Sequence, residues 1–229
     1  MDTLGCYTYF MSDYKLITKG NSKLGKGPFH VNTTSGLSCP GATAWCIGGT
    51  GDNGVEYKGA CYTKKFGRYP NVVAKYAANL DLWDTDPATF EALLRMDLTK
   101  IRAGSVFRWH VSGDIPDANY AKMIARIATD YPHIRFWLYT RSYRVPALLP
   151  LIVDLETNYD NLKVWRSTDE SVAMQPNHRD ARAFDTAAEA KAAGFVVCPE
   201  QTGRKADCES CGLCFDITKP VFRLAFVKH

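Results

Sequence analysis

Between residues 105 and 168 the chain alternates between two patterns that only one kind of fold accommodates. SVFRWHVSGD (105–114), IRFWLYTRS (134–142) and LKVWRST (162–168) are short apolar runs rich in β-branched and aromatic residues, which predicts strands. Between the first two, Tyr120, Met123, Ile124, Ile127, Ala128 and Tyr131 recur at helical spacing behind Asp117, a residue suited to capping a helix. VPALLPLIVDLETNY (145–159) predicts the next helix. Strands separated by helices in this rhythm pair in parallel, with right-handed crossovers. The flanks extend the pattern. A helix is predicted around Val72, Val73, Tyr76, Ala77 and Leu80, and another from Asp86 with Pro87 in its first position. TAAEAKAAG (186–194) predicts a short helix, and FVVCP (195–199) and RLAFV (223–227) predict strands.

The expected fold is therefore α/β with a mainly parallel sheet. The 229 residues allow five or six βα units, which suits a partial (β/α) barrel better than a full eight-stranded one of about 250 residues. A doubly wound open sheet is the alternative. Residues 1–35, polar and rich in Gly, Asn and Lys, are expected to be an N-terminal arm with one short strand over 14–18. Residues 36–229 are expected to form a single domain ending in the cysteine motif 198–214. In either architecture, ligands gather where strands end and βα loops begin. That rim collects Cys39, the 110–114 turn, 140–142, 166–168 and Cys198.

Hydrophobic residues make up 46% of the chain, enough for a core without covalent staples. No apolar run is long enough to span a membrane and the N-terminus has no signal-like apolar segment, so a cytoplasmic protein with no membrane partner is expected. In that compartment the eight cysteines need an explanation other than disulfides. Cys6 stands alone. Cys198, Cys208, Cys211 and Cys214 are spaced C-x9-C-x2-C-x2-C, with Pro199 after the first. Zinc sites usually divide their ligands into two separate knuckles, whereas thiolates at repeated two-residue gaps wrap an iron–sulfur cluster. A [4Fe–4S] cluster is the expected occupant and zinc the alternative. Cys39, Cys46 and Cys61 form a looser second group, able to hold a second cluster or share the first. In a barrel the first and last strands are neighbours.

Four rim residues are candidates for chemistry: His110, Asp114, Arg141 and Arg166. His110 could transfer a proton, although a histidine amid Trp109 and Val111 also fits an ordinary core position. The two arginines follow strands at equivalent places and suit an anionic small molecule, or else surface ion pairs. Lys58, Lys64, Lys65 and Arg68 interleave with Tyr57, Tyr62, Phe66 and Tyr69, a mixture able to hold single-stranded nucleic acid. The net charge of +4 permits such a partner without demanding it. Gly20–Lys26 fits G-x4-G-K, but Gly27, Pro28 and Phe29 supply neither the hydroxyl nor the helix of a phosphate-binding loop.

GNSKLGK (20–26), SCPGATAWC (38–46), Cys61–Tyr62, RWHVSGDI (108–115), YTRS (139–142) and CGLC (211–214) together resemble a phage family known as gene-product-88-like proteins. The match is in order over most of the chain and implies a phage or prophage origin, and so the cytoplasm of an infected or lysogenic host. More distantly, the chain is similar to radical S-adenosylmethionine enzymes. That likeness implies a partial barrel, a cluster-binding trio at Cys39, Cys46 and Cys61, and a cofactor-contacting motif at Ser112, Gly113 and Asp114. The trio here is spread over a longer loop, and Ser112 and Asp114 replace a glycine and a glutamate. These departures weigh against S-adenosylmethionine itself.

Overall fold

The computed structural model describes residues 14–227 apart from 53, 173, 175 and 176. Cys6 lies outside them. Strands β1 (Thr18–Asn21) and β2 (Gly25–Val31) form a hairpin. A long loop follows, containing the single turn α1 (Ala44–Ile47), a two-residue ribbon of β3 (Gly49–Thr50) and β4 (Glu56–Tyr57), and a 3-10 segment over Tyr62–Arg68. Then come α2 (Pro70–Thr85), α3 (Pro87–Leu98), β5 (Val106–Trp109), α4 (Ala118–Asp130), β6 (Arg135–Thr140), α5 (Leu149–Thr157) and β7 (Leu162–Thr168). The chain ends with β8 (Asp180–Phe184), α6 (Ala187–Ala192), β9 (Val196–Val197), α7 (Cys208–Cys211) and β10 (Arg223–Val227).

Eight strands make one sheet in the order β1-β2-β5-β6-β7-β8-β10-β9. Only the β1–β2 pair is antiparallel. The α/β class and the mainly parallel sheet agree with the sequence reading. The pairing leaves β1 and β9 as two separate edges, so it gives an open sheet and not a closed barrel. Nor is the sheet wound on both sides, because α2 to α6 all pack on one face. Trp83, Phe90, Leu94, Ile124, Ile127, Ile152 and Leu155 meet Phe107, Trp109, Phe136, Leu138, Leu162 and Val164 there. Ala190 of α6 continues that layer against Phe195, Val197 and Ala225.

Residues 18–31, read from sequence as part of an arm, are integral to the sheet. Pro28 argues against an interior strand. It is tolerated because the parallel ladder of β2 with β5 begins only at Phe29. The helix starts follow their caps: Asp86 accepts from Thr89 N at 3.0 Å, and Asp117 from Tyr120 N at 2.9 Å.

Alternation along the strands assigns the second face. Arg108, Trp137 and Lys163 pair in register, one row beyond Phe107, Phe136 and Leu162, so they point away from the helices. Leu24, Val106, Trp137, Trp165, Ala181 and Leu224 form a smaller core here, closed by Cys214 and Phe215. The cysteine-rich C-terminal loop is thus the lid of the helix-free face.

Candidate metal centre

The N-terminal cysteines lie on the loop leaving β2, which is sewn to the exits of β5 and β6. Asn32 Oδ1 accepts from Val111 N at 2.6 Å and Ser112 N at 3.1 Å, and Thr33 N donates to Ser112 O at 3.1 Å. Gly113 has φ +90°, and a Cβ there would stand 2.0 Å from Thr33 Oγ1; only glycine lets the two loops meet. Gly41 likewise lies against the Arg141 carbonyl, where a Cβ would come within 1.9 Å. Thr43 caps α1 and donates to Asp169 at 2.8 Å. Cys61 N donates to Cys46 O at 3.0 Å, closing the loop on itself.

This folding gathers three thiols. The Cys46 thiol hydrogen-bonds to the Cys61 sulfur, and that contact, with help from Thr63 and Arg141, holds the Cys61 thiol below its ordinary range while Cys46 is raised. Thr63 Oγ1 stands 2.9 Å from Cys61 Sγ. Burial pushes the Cys39 thiol up to about 12, with Asp114 and Cys61 adding repulsion.

The C-terminal cysteines sit on the opposite face from the helices. Cys198 N donates to Ala225 O at 2.9 Å, extending the β9–β10 pairing. The start of α7 docks on the β1–β2 turn through Cys208 N to Lys23 O (2.9 Å) and Glu209 N to Leu24 O (3.0 Å). Lys163, with no exposed surface, donates to the carbonyls of Leu213, Asp216 and Lys219 at 3.0, 2.8 and 3.3 Å. Trp165 Nε1 donates to Cys214 O at 2.9 Å. Held this way, Cys198, Cys208 and Cys214 act on one another: burial lifts Cys208 to about 11 and Cys214 to about 12, and the neighbouring thiols add to both. Cys211, at the far end of the one-turn helix, lines a surface groove with Gly27, Glu209 and Lys219. Among the described residues no group of three or more His, Cys, Asp or Glu is placed so that it could hold a metal ion.

The other sequence candidates are placed as follows. His110 has a left-handed backbone (φ 63°) and is buried on the helix side, with Nε2 3.0 Å from Tyr120 OH; burial, then Arg108, lowers it to about 3. It is a neutral core histidine. Asp114 accepts from Arg141 N and Ile115 N, each at 2.7 Å, and its raised pKa reflects burial. Ser112 and Gly113 carry the loop contacts already described. Arg141 pairs with Asp169 and stacks on Trp45. Arg166 is held by Glu156 in a two-pronged pair at 2.7 and 2.8 Å. Both arginines thus already have carboxylate partners. Lys58, Lys64, Lys65, Arg68 and Tyr69 are exposed, Tyr57 is half-buried, and Phe66 packs edge-on against Tyr62 and Tyr76.

Two buried charges beside the cysteines escaped the sequence reading. Lys163 is one. The other is Arg108, a buried cation beside Cys208, Cys214, Tyr62 and Tyr139. Both are charges set in strands that otherwise read as apolar, and period-two alternation puts them on one face.

No helix among the described residues is long and apolar enough to cross a membrane. No solved structure matches the chain. It is 26% identical over 238 residues to the Gene 88 protein of Mycobacterium phage D29, covering 92% of each chain. It is also 26% identical over 236 residues to the Gene 88 protein of Mycobacterium phage L5, covering 89% of this chain and 90% of that one. The family model described as Gene product 88 matches residues 14–217. With the whole sheet up to β8 and all the described cysteines inside that match, the chain belongs to the Gene product 88 family of bacteriophage proteins.

Proposed function

We propose that this phage protein is an iron–sulfur protein with two thiolate sites, one at Cys39, Cys46 and Cys61 and one at Cys198, Cys208 and Cys214, used for redox or cluster-based chemistry. The observation that carries the reading is that six cysteines fall into two groups of three, each group within a short stretch of chain and its thiols close enough to act on one another. Cysteines placed only for packing have no reason to converge twice. A [4Fe–4S] cluster is preferred to zinc because thiols at repeated two-residue gaps are the cluster pattern, whereas zinc ligands usually come as two separate knuckles. Cys211 or a non-cysteine group would complete the second site.

The strand order from β2 to β8, without reversal and with its helices on one face, supports the partial-barrel form of this reading. The Asp114 carboxylate is engaged by the backbone of residues 115 and 141, so S-adenosylmethionine is not part of the proposal.

Iron, sulfide and zinc analysis of anaerobically prepared protein tests it. Acid-labile sulfide matching iron at about four per cluster, with absorbance near 400 nm, is the expected result; a colourless protein with stoichiometric zinc refutes it. Cys214→Ser should remove one cluster's worth of iron and Cys211→Ser less, because Cys214 is buried while Cys211 is half-exposed and lines the outer groove. A second reading, a nucleic-acid-binding surface with a structural metal, draws on the exposed Tyr62, Lys64, Lys65, Arg68 and Tyr69. Salt-dependent binding of a single-stranded oligonucleotide, lost in Lys65→Ala/Arg68→Ala, would support it.

A further inference from the structure

The long loop between β2 and α2 returns to itself at one point. Ala60 N donates to Trp45 O at 2.8 Å and Cys61 N to Cys46 O at 3.0 Å, so two cysteines separated by fourteen residues lie side by side. Each is fixed from outside the loop. On the Cys46 side, Trp45 packs under the Arg141 guanidinium, 5.6 Å from the ring centroid, and Thr43 donates to Asp169 at 2.8 Å. On the Cys61 side, Tyr62 OH donates to Val111 O, and Thr63 Oγ1 is 2.6 Å from Ser35 Oγ. The two sulfurs meet: the Cys46 thiol donates to the Cys61 sulfur, which also stands 2.9 Å from Thr63 Oγ1. Cys39 is engaged elsewhere, its sulfur accepting from Gly36 N at 3.4 Å. Both members of the pair are half-buried and not sealed in the core. A disulfide needs Cα atoms about 4.4–6.8 Å apart. Facing residues joined by backbone hydrogen bonds stand about 5.5 Å apart, so the backbone bond between Cys46 and Cys61 already holds them in range.

We propose that Cys46 and Cys61 are a redox-active dithiol, which a low-molecular-weight disulfide oxidises to an intramolecular disulfide and the corresponding thiol reduces again. Because Cys46 donates to it, Cys61 is the attacking sulfur and Cys46 the resolving one. The Cys61 thiolate displaces one thiolate from the oxidant and forms a mixed disulfide. Cys46 then attacks the Cys61 sulfur and expels the second thiolate. Two protein thiols are oxidised, one small disulfide is reduced to two thiols, and the two protons pass to the departing sulfurs. The inference does not depend on the iron–sulfur reading. Taken with that reading it adds a control: the disulfide withdraws two sulfurs of the N-terminal trio, so oxidation and iron loading exclude each other there.

The test uses the full chain, freed of metal with a chelator and equilibrated with glutathione and glutathione disulfide, then alkylated and mapped by peptide mass spectrometry. The expected result is the loss of two alkylatable thiols out of eight, recovered as a linked Cys46–Cys61 peptide. The link should be reversed by excess glutathione and form faster in the folded chain than in urea. Cys46→Ser should stop at a glutathione adduct on Cys61. Both thiols still alkylated under excess glutathione disulfide overturns the inference, as does linkage through Cys39 or a rate no faster than in urea. An adduct that accumulates on Cys46 in Cys61→Ser, but not on Cys61 in Cys46→Ser, overturns the order of attack. Iron uptake by the reduced protein is read separately: its absence sinks the iron–sulfur proposal and leaves the dithiol standing.

Discussion

Lys163→Met probes how the cysteine loop is held to the sheet. The wild-type ammonium makes three hydrogen bonds to carbonyls of residues 213, 216 and 219, and its stem lies along Trp165, with Nζ 5.3 Å from the ring centroid. A hydrogen bond to a charged group contributes about 1.5–3 kcal/mol, so three give roughly 4–9 kcal/mol. Against this stands the cost of keeping an ammonium out of water, several kcal/mol. Methionine preserves the stem's packing and removes the charge, so both large terms vanish together. The net loss should be about 2–4 kcal/mol. Urea denaturation followed by tryptophan fluorescence measures it. Because the released segment carries Cys214 and Phe215, iron transfer to a chelator should also accelerate, ahead of global unfolding. A change below about 0.5 kcal/mol with unaltered chelator kinetics would show that the loop is held by Phe215 and Trp165 and not by the lysine.

Acid should destabilise the protein through its buried histidines. Burial holds His110 near 3 and His30 near 4 in the folded chain, against 6.5 when exposed. Between those values the unfolded chain binds more protons, so stability falls as pH drops below about 6.5. Each histidine costs about 2 kcal/mol by pH 5. His110→Asn, a residue tolerant of the left-handed backbone, should flatten the pH dependence of urea stability between pH 6.5 and 5; an unchanged slope contradicts neutral burial. Gly113→Ala should cost about 2–4 kcal/mol, combining an unfavourable φ with a Cβ driven into Thr33 and Ser38. On the proposed iron–sulfur reading it should also lower iron uptake at the N-terminal trio while sparing the C-terminal group. Equal loss from both sites would mean that the 33–38 loop does not position the trio.

Much of the frame was legible in the chain itself. Apolar strands near residues 106, 135 and 162, the caps at Asp86 and Asp117, and the stripe on α4 predict parallel βαβ units because periodicity and capping are local properties. β1 and β2 were not legible: glycine and proline disguise GKGPFHV as a loop, and its partners come from residues 107–109. β8, with the short charged run DARAF, gains strand character only from β7 and β10 on either side.

The same division holds for the site. Spacing alone singled out the cysteines, because thiols at repeated two-residue gaps are a ligand pattern. It grouped Cys211 with Cys208 and Cys214; the structure adds that Cys211, at the end of the one-turn helix, also lines the outer groove. Which thiols meet, which arginines already hold a carboxylate, and that Arg108 is left facing thiols and phenols are decided by pairing between strands 25 or more residues apart. Local sequence sets which way a side chain points along its strand. Only the assembled sheet determines what it finds there.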